Sequence, residues 1–300
     1  MTIIAISGKA GSGKDAVGNI ITNLIAKSIS RNSLFYDTHN IHRFPSNPSK
    51  CKDWTIKKFA YKVKVITSLL TGIPIDDLEK EEVKNSYLPN CWDTYGYANT
   101  FTRDANNNPI MMVVPCSKST YEEERITNWQ TAYKHEMTVR QFMFTLATNA
   151  VRDQVHQDTW INALFVDYKP THLPGLENHT WDPDPLPNWI ITDWRFENET
   201  KAIETRNGIK IRVERSLENR YPKEFEEYDE MIVSSSSNDS FIEYIQLNEP
   251  KLHAHLTHQS ETELDKYVGT DYFKYCIYNN LDLEDLIKQC EDILIKEKLI

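Results

Sequence analysis

Gly8-Lys9-Ala10-Gly11-Ser12-Gly13-Lys14-Asp15 sets three glycines and a lysine at the spacing of a phosphate-binding loop. Glycine lets the backbone curl until successive N–H groups point inward at phosphate oxygens. The helix that follows adds about half a positive charge at its start. Lys14 can then reach terminal phosphates and offset charge during a transfer. Asp15 stands where Ser or Thr is usual after the lysine; its carboxylate can hold Mg²⁺ through water or leave the ion to the nucleotide.

Further along the chain lie groups suited to a second anion. Thr138-Val139-Arg140-Gln141 fits a capping box, which predicts Thr138 as N-cap and Arg140 in the first helical turn. An arginine there either seats a phosphate dianion beside free N–H groups or is simply solvated. Asp158-Thr159-Trp160 predicts another helix start, with Asp158 as N-cap and Trp160 either stacking on a base or anchoring the core. The apolar run Trp189–Asp193 brings Asp193 to a strand's carboxyl end, where ligands bind in open α/β sheets. Asp193 can orient a sugar hydroxyl or hold magnesium, and Arg195 can grip phosphate. An Asp/Arg pair beside a strand is equally an ordinary ion pair.

These residues need a scaffold, and the hydrophobic pattern supplies one. Five short runs read as buried strands: Ile3–Ser7, Ser33–Asp37, Trp189–Asp193, Lys210–Glu214 and Tyr275–Tyr278. Val17, Ile20, Ile21, Leu24 and Ile25 follow one helix face, as do Leu283, Leu286, Ile287, Cys290, Ile293 and Leu294 behind Asp282 as N-cap. Gly208 marks a helix stop. Strands alternating with helices predict an α/β fold with a mostly parallel five-stranded sheet. Two stretches break the rhythm. Residues 85–135 read as an insertion turning at Asn106-Asn107-Asn108-Pro109, and 216–258 read as a polar, lid-like segment with few apolar positions at regular spacing. No internal linker divides the 300 residues, so a single domain is expected.

A net charge of −10 argues against a nucleic-acid polymer as partner, because tracking its phosphates needs clustered Lys and Arg. Five scattered cysteines (51, 91, 116, 276 and 290) lack zinc-knuckle spacing and read as reduced. Neither a signal peptide nor a membrane-spanning run is visible, which predicts a cytoplasmic protein. His253, His255 and His258 read as a polar loop rather than a metal site.

The chain resembles the phage-type deoxynucleoside monophosphate kinases, a branch of the P-loop nucleotide kinases. The matching blocks are Ser7–Asp15, Phe59–Lys64, Thr138–Arg140 through Leu146–Thr148, Trp160, Asp193–Arg195 with Glu199, Arg212–Arg215, His258–Glu261, and Asn279 with Leu283–Leu286. They span nearly the whole chain, the two irregular stretches excepted. The resemblance implies a P-loop kinase fold and ATP-dependent phosphorylation of a deoxynucleoside monophosphate, with Mg²⁺, in the host cytoplasm if the gene is a phage's. It implies that Gly8, Lys9, Ala10, Gly11, Ser12, Gly13, Lys14 and Asp15 hold ATP phosphates, with Arg215 facing ATP from the lid. Lys64, Arg140, Thr148, Trp160, Asp193, Arg195 and Glu199 look like the monophosphate site, with Lys14, Arg140 and Arg195 catalytic and Asp15 and Asp193 as metal candidates. His258 and Glu261 match positions whose role the residues alone do not reveal. Two departures stand out: Phe144 replaces a Gln, and Ala147 replaces a Gly in Leu-Gly-Thr. A homodimer is open, as are two other activities: a P-loop kinase for another phosphorylated small molecule, or a nucleotide-binding module without catalysis.

Overall fold

A computed structural model describes residues 2–30, 54–103, 109–127, 132–169, 186–231 and 237–300. These gather into two compact units, one formed by Met1–Ala60 with Trp160–Ile300 and the other by Tyr61–Thr159.

The first unit is built on a five-stranded, all-parallel sheet. Its strands are β1 (Ile3–Gly8), β2 (Trp54–Lys57), β6 (Asn188–Trp194), β7 (Ile209–Glu214) and β8 (Tyr275–Tyr278), in the order β2-β6-β1-β7-β8. Four of the five strands coincide with the apolar runs of the sequence. The fifth strand, at one edge of the sheet, is Trp54–Lys57, a four-residue run whose hydrophobic signal is too short to read; Ser33–Asp37 lies outside the described residues. Alternation along β1 sends Ile4 and Ile6 to one face and Ile3 and Ala5 to the other. On the first face, α1 (Lys14–Ser30) buries Val17, Ile20, Ile21 and Ile25 together with Leu286, Cys290, Ile293 and Leu294 of α13 (Leu283–Lys296). On the second, α6 (Thr159–Phe165) supplies Ile161, Leu164 and Phe165, and α7 (Glu197–Glu204) supplies Ile203. Each such buried side chain is worth about 1.5–3 kcal/mol. A Cβ on Gly18 would strike Thr192, so a glycine is what lets α1 lie against β6. Asp282 caps α13 by accepting from Asp285 N–H at 2.9 Å. After α7, the left-handed residue is Asn207 (φ 52°), and Gly208 donates its N–H to Ile203.

Residues 216–258 differ from expectation. They form α8 (Leu217–Arg220), α9 (Pro222–Met231), α10 (Asn238–Asn248) and α11 (Pro250–Leu256), followed by α12 (Gln259–Thr262). Tyr228, Phe241, Ile245 and Leu256 make a separate core there, ringed by Leu217, Tyr221, Phe225 and Leu252. α10 sets Phe241, Ile242, Tyr244 and Ile245 at helical spacing, whereas α8, α9 and α11 each bring only one or two residues to the cluster, which exists only once the helices meet. Ser237 caps α10, while 232–236 lie outside the described residues.

The second unit opens with α2 (Tyr61–Thr71) and α3 (Glu81–Asn85). An antiparallel sheet follows, in the order β4-β3-β5, from β3 (Thr94–Arg103), β4 (Pro109–Cys116) and β5 (Ala132–His135). Of the expected turn Asn106-Asn107-Asn108-Pro109, the three asparagines lie outside the described residues and Pro109 begins β4. Between β4 and β5 runs α4 (Lys118–Thr127), and after β5 come α5 (Val139–Phe144) and a π-helical stretch, Thr145–Arg152. Leu78, Leu88, Val139 and Phe142 form this unit's core. The compact unit therefore begins well before residue 85 and ends well after 135.

Among the described residues, no helix is long and apolar enough to cross a membrane. The described cysteines, 91, 116, 276 and 290, are unbridged, and Cys51 lies outside the described residues.

Candidate phosphate-binding site

The loop after β1 sits at the carboxyl end of the sheet's middle strand, so the ends of β6 and β7 flank it. Gly11 and Gly13 take φ of +74° and +94°, the left-handed region that side chains resist. A Cβ on Gly13 would also collide with Asn279. The loop is closed by Ser12 N–H donating to Lys9 C=O at 3.1 Å, and α1 begins with Val17 N–H donating to Gly13 C=O at 2.9 Å. Among the described residues, the N–H groups of Gly11, Gly13, Lys14 and Asp15 have no acceptor. Ser12 Oγ is likewise buried without a partner. These donors are what an oxyanion requires.

Lys14 is buried, and its ammonium donates to Lys9 C=O at 3.3 Å. Burial, then the nearby Arg195 guanidinium, lowers its pKa to about 8, against the pull of Glu261, Asp15 and Asp193. At neutral pH it still carries its charge. Asp15 accepts from Thr192 Oγ1 at 2.6 Å and pairs with Lys58 at 3.1 Å. Burial pushes its carboxyl up, but Lys58 and the Thr192 bond outweigh that and hold it below the usual range.

Several side chains secure the loop. Arg220 Nε donates to Ala10 C=O at 2.8 Å, and Arg215 Nη1 approaches Gly11 C=O at 3.4 Å. Asn279 Nδ2 donates to Ser12 C=O at 2.9 Å. Lys9 pairs with Asp265 at 2.7 Å, and Asp265 also accepts from the buried Arg212 at 2.7 Å. Glu261, fully buried, accepts from Ala10 N–H at 2.5 Å and pairs with Arg195. Arg215, for which the resemblance implies a place facing ATP from the lid, keeps a buried Nε without a partner. Arg220, Asp265 and Lys58 carry no local signal in the sequence. Glu261 and Asn279 were visible only as parts of the family pattern.

The remaining expected residues divide between the two units. In the first, Asp193 accepts from the N–H groups of Phe59 and Ala60 at 2.8 and 2.9 Å, so it fixes the backbone that follows β2. Burial raises its pKa despite those two amides. Glu199 accepts from Arg195 N–H and Phe196 N–H at 2.8 and 3.0 Å, capping α7, and burial pushes its carboxyl up to about 8. Trp160 is half-buried in the first turn of α6. In the second unit, Lys64 is buried on α2 and paired with Glu79. Arg140 occupies the first turn of α5 behind the expected capping box of Thr138 and Gln141, and bonds Glu81 and Asn85. Thr148 lies in the π-helical stretch, its C=O accepting from Asp153 N–H at 2.9 Å.

As a metal site the acidic residues fit poorly. Asp15 already faces an ammonium and Asp193 two amides, and no group of three or more His, Cys, Asp or Glu that could hold an ion is found among the described residues. His253 and His255 belong to α11. Comparison with protein-family models and with curated proteins finds no match for the chain.

Proposed function

We propose that the protein is a P-loop kinase that transfers the γ-phosphoryl group of ATP to a deoxynucleoside monophosphate. The observation that carries the reading is the loop at 8–15, where open backbone N–H groups, an unpartnered buried hydroxyl and a buried, charged lysine converge. This donor set suits a triphosphate. Lys14 and the loop amides would bind the β- and γ-phosphates, and Arg195 would add positive charge at the same edge of the sheet. The acceptor's phosphate oxygen forms the new P–O bond while the bond to the bridging oxygen of ADP breaks. That nucleophile is already anionic, so alignment and charge neutralisation suffice without a strong base. Magnesium would arrive with the triphosphate and spread its charge; none of the steps assigned to these residues depends on it. For Lys64, Arg140 and Thr148 of the second unit, and for Trp160, Asp193 and Glu199 of the first, a part in acceptor binding rests on the family resemblance alone. The supported part for Asp193 is to hold the backbone of Phe59 and Ala60, and for Glu199 to hold the backbone at Arg195 and Phe196.

The test is a panel of four deoxy- and four ribonucleoside monophosphates with ATP and Mg²⁺, with products separated. The expected outcome is a diphosphate from at least one deoxynucleotide, and a loss of at least about a hundredfold in Lys14→Ala. ATP binding with no product from any acceptor would favour a nucleotide-binding module. Transfer to a different phosphorylated molecule would keep the kinase and change its substrate.

A further inference from the structure

Ala10 is held at both of its backbone groups. Its C=O accepts from Arg220 Nε, and its N–H donates to Glu261 Oε2. Arg220 ends α8 and Glu261 belongs to α12, so the two contacts bracket the helices α9–α11 with their separate core. Glu261 has a second load, the guanidinium of Arg195. Ser260 adds to that grip, its Oγ lying 3.3 Å from the same Arg195 nitrogen. Four residues on, Asp265 holds Lys9 and Arg212.

A buried carboxylate beside Lys14 invites a different interpretation, an internal anion occupying the phosphate position. The hydrogen bonds argue against it. Glu261 takes the N–H of Ala10, while those of Gly11, Gly13, Lys14 and Asp15 remain open and the Lys14 ammonium points to Lys9 C=O. The carboxylate grips the rim of the loop and leaves the donors of the cradle untouched.

We infer that Glu261 and Arg220 are positioning residues that clamp the two peptide groups flanking Ala10 from opposite ends of the helical segment, presetting the loop amides and Arg195 for a triphosphate. The clamp rests on the phosphate-cradle reading for its ligand, but not for its existence. Glu261→Gln places an amide NH₂ against either the Ala10 N–H or the Arg195 fork, both donors, so one contact must break, and in either orientation the Ala10 N–H loses its charged acceptor. Losing such a charge-assisted bond weakens what it supports by about tenfold or more.

The clamp is read on the full chain with ¹⁵N-alanine labelling. In the wild type the Ala10 amide proton should resonate far downfield and exchange slowly. In Glu261→Gln it should move upfield and exchange at least about tenfold faster, with Glu261→Asp intermediate. ATP affinity, measured by calorimetry without acceptor, should fall about tenfold in Glu261→Gln and in Arg220→Met. An Ala10 amide that is unprotected in the wild type, or unmoved by Glu261→Gln, overturns the clamp. So does tighter ATP binding by Glu261→Gln, which would make the carboxylate a competitor of phosphate. If the wild type binds no ATP while the Ala10 amide behaves as expected, the clamp stands and the kinase reading fails. Should Glu261→Gln not fold, Arg220→Met and the wild-type exchange rate decide.

Discussion

Lys14 is a residue whose chemistry and stability pull in opposite directions. Its pKa is depressed from 10.5 to about 8, first by burial and then by Arg195, so the unfolded chain holds the extra proton between about pH 8 and 10.5. Stability contributed by this group therefore rises with pH through that window. At neutral pH, keeping the ammonium charged in the fold costs about 3 kcal/mol, the equivalent of the shift. Lys14→Met should accordingly raise the unfolding free energy at pH 7 by about 1–3 kcal/mol and flatten its dependence on pH between 8 and 10.5. Urea titrations from pH 7 to 10 read both effects, and a variant less stable than wild type at pH 7 would contradict the assignment. A buried ammonium that costs stability is the kind of strain expected where function competes with stability.

At the scale of elements, caps and close approaches decide where side chains end up. Thr138 accepts from Gln141 N–H at 3.2 Å while the Gln141 side chain accepts from Thr138 N–H at 2.8 Å, and this box starts the short α5 that carries Arg140. Thr138→Ala should cost about 1 kcal/mol, measured by urea unfolding, whereas Thr138→Ser should cost less. Equal losses would mean that the methyl group rather than the hydroxyl matters. The same logic applies at α1 and α7. Gly18 lets α1 approach β6 so that Asp15 meets Thr192, and Glu199 ties the start of α7 to the end of β6.

On the scale of the whole molecule, each compact unit has its own core. Leu78 is fully buried in the second unit with Leu88, Val139 and Phe142. Leu78→Ala should cost about 2–5 kcal/mol locally. Hydrogen exchange followed by mass spectrometry should show faster exchange in peptides from 61–159, with the parallel sheet of the first unit less affected. Uniform acceleration across β1, β6 and β7 would instead mean that the two cores unfold as one.

Much of this protein was legible without coordinates wherever the cause was local. The glycine-rich turn at 8–15, β1, β6, β7 and β8, the faces of α1 and α13, and the caps at Thr138 and Asp282 each depend on residues a few positions apart. Periodicity and turn chemistry act over that range and leave a mark in the order of residues. What only the tertiary structure decided is held across long separations: Glu261 on Ala10, Arg220 on Ala10, Asp265 on Lys9 and Asp193 on Phe59 and Ala60. A carboxylate 251 positions away has no local pattern to announce its partner. The core of α9–α11 escaped for the same reason, since the stripe on α10 is buried by residues of α9 and α11 whose own stripes are too short to read. Local backbone preference writes itself into sequence; a contact made by folding the chain back on itself does not.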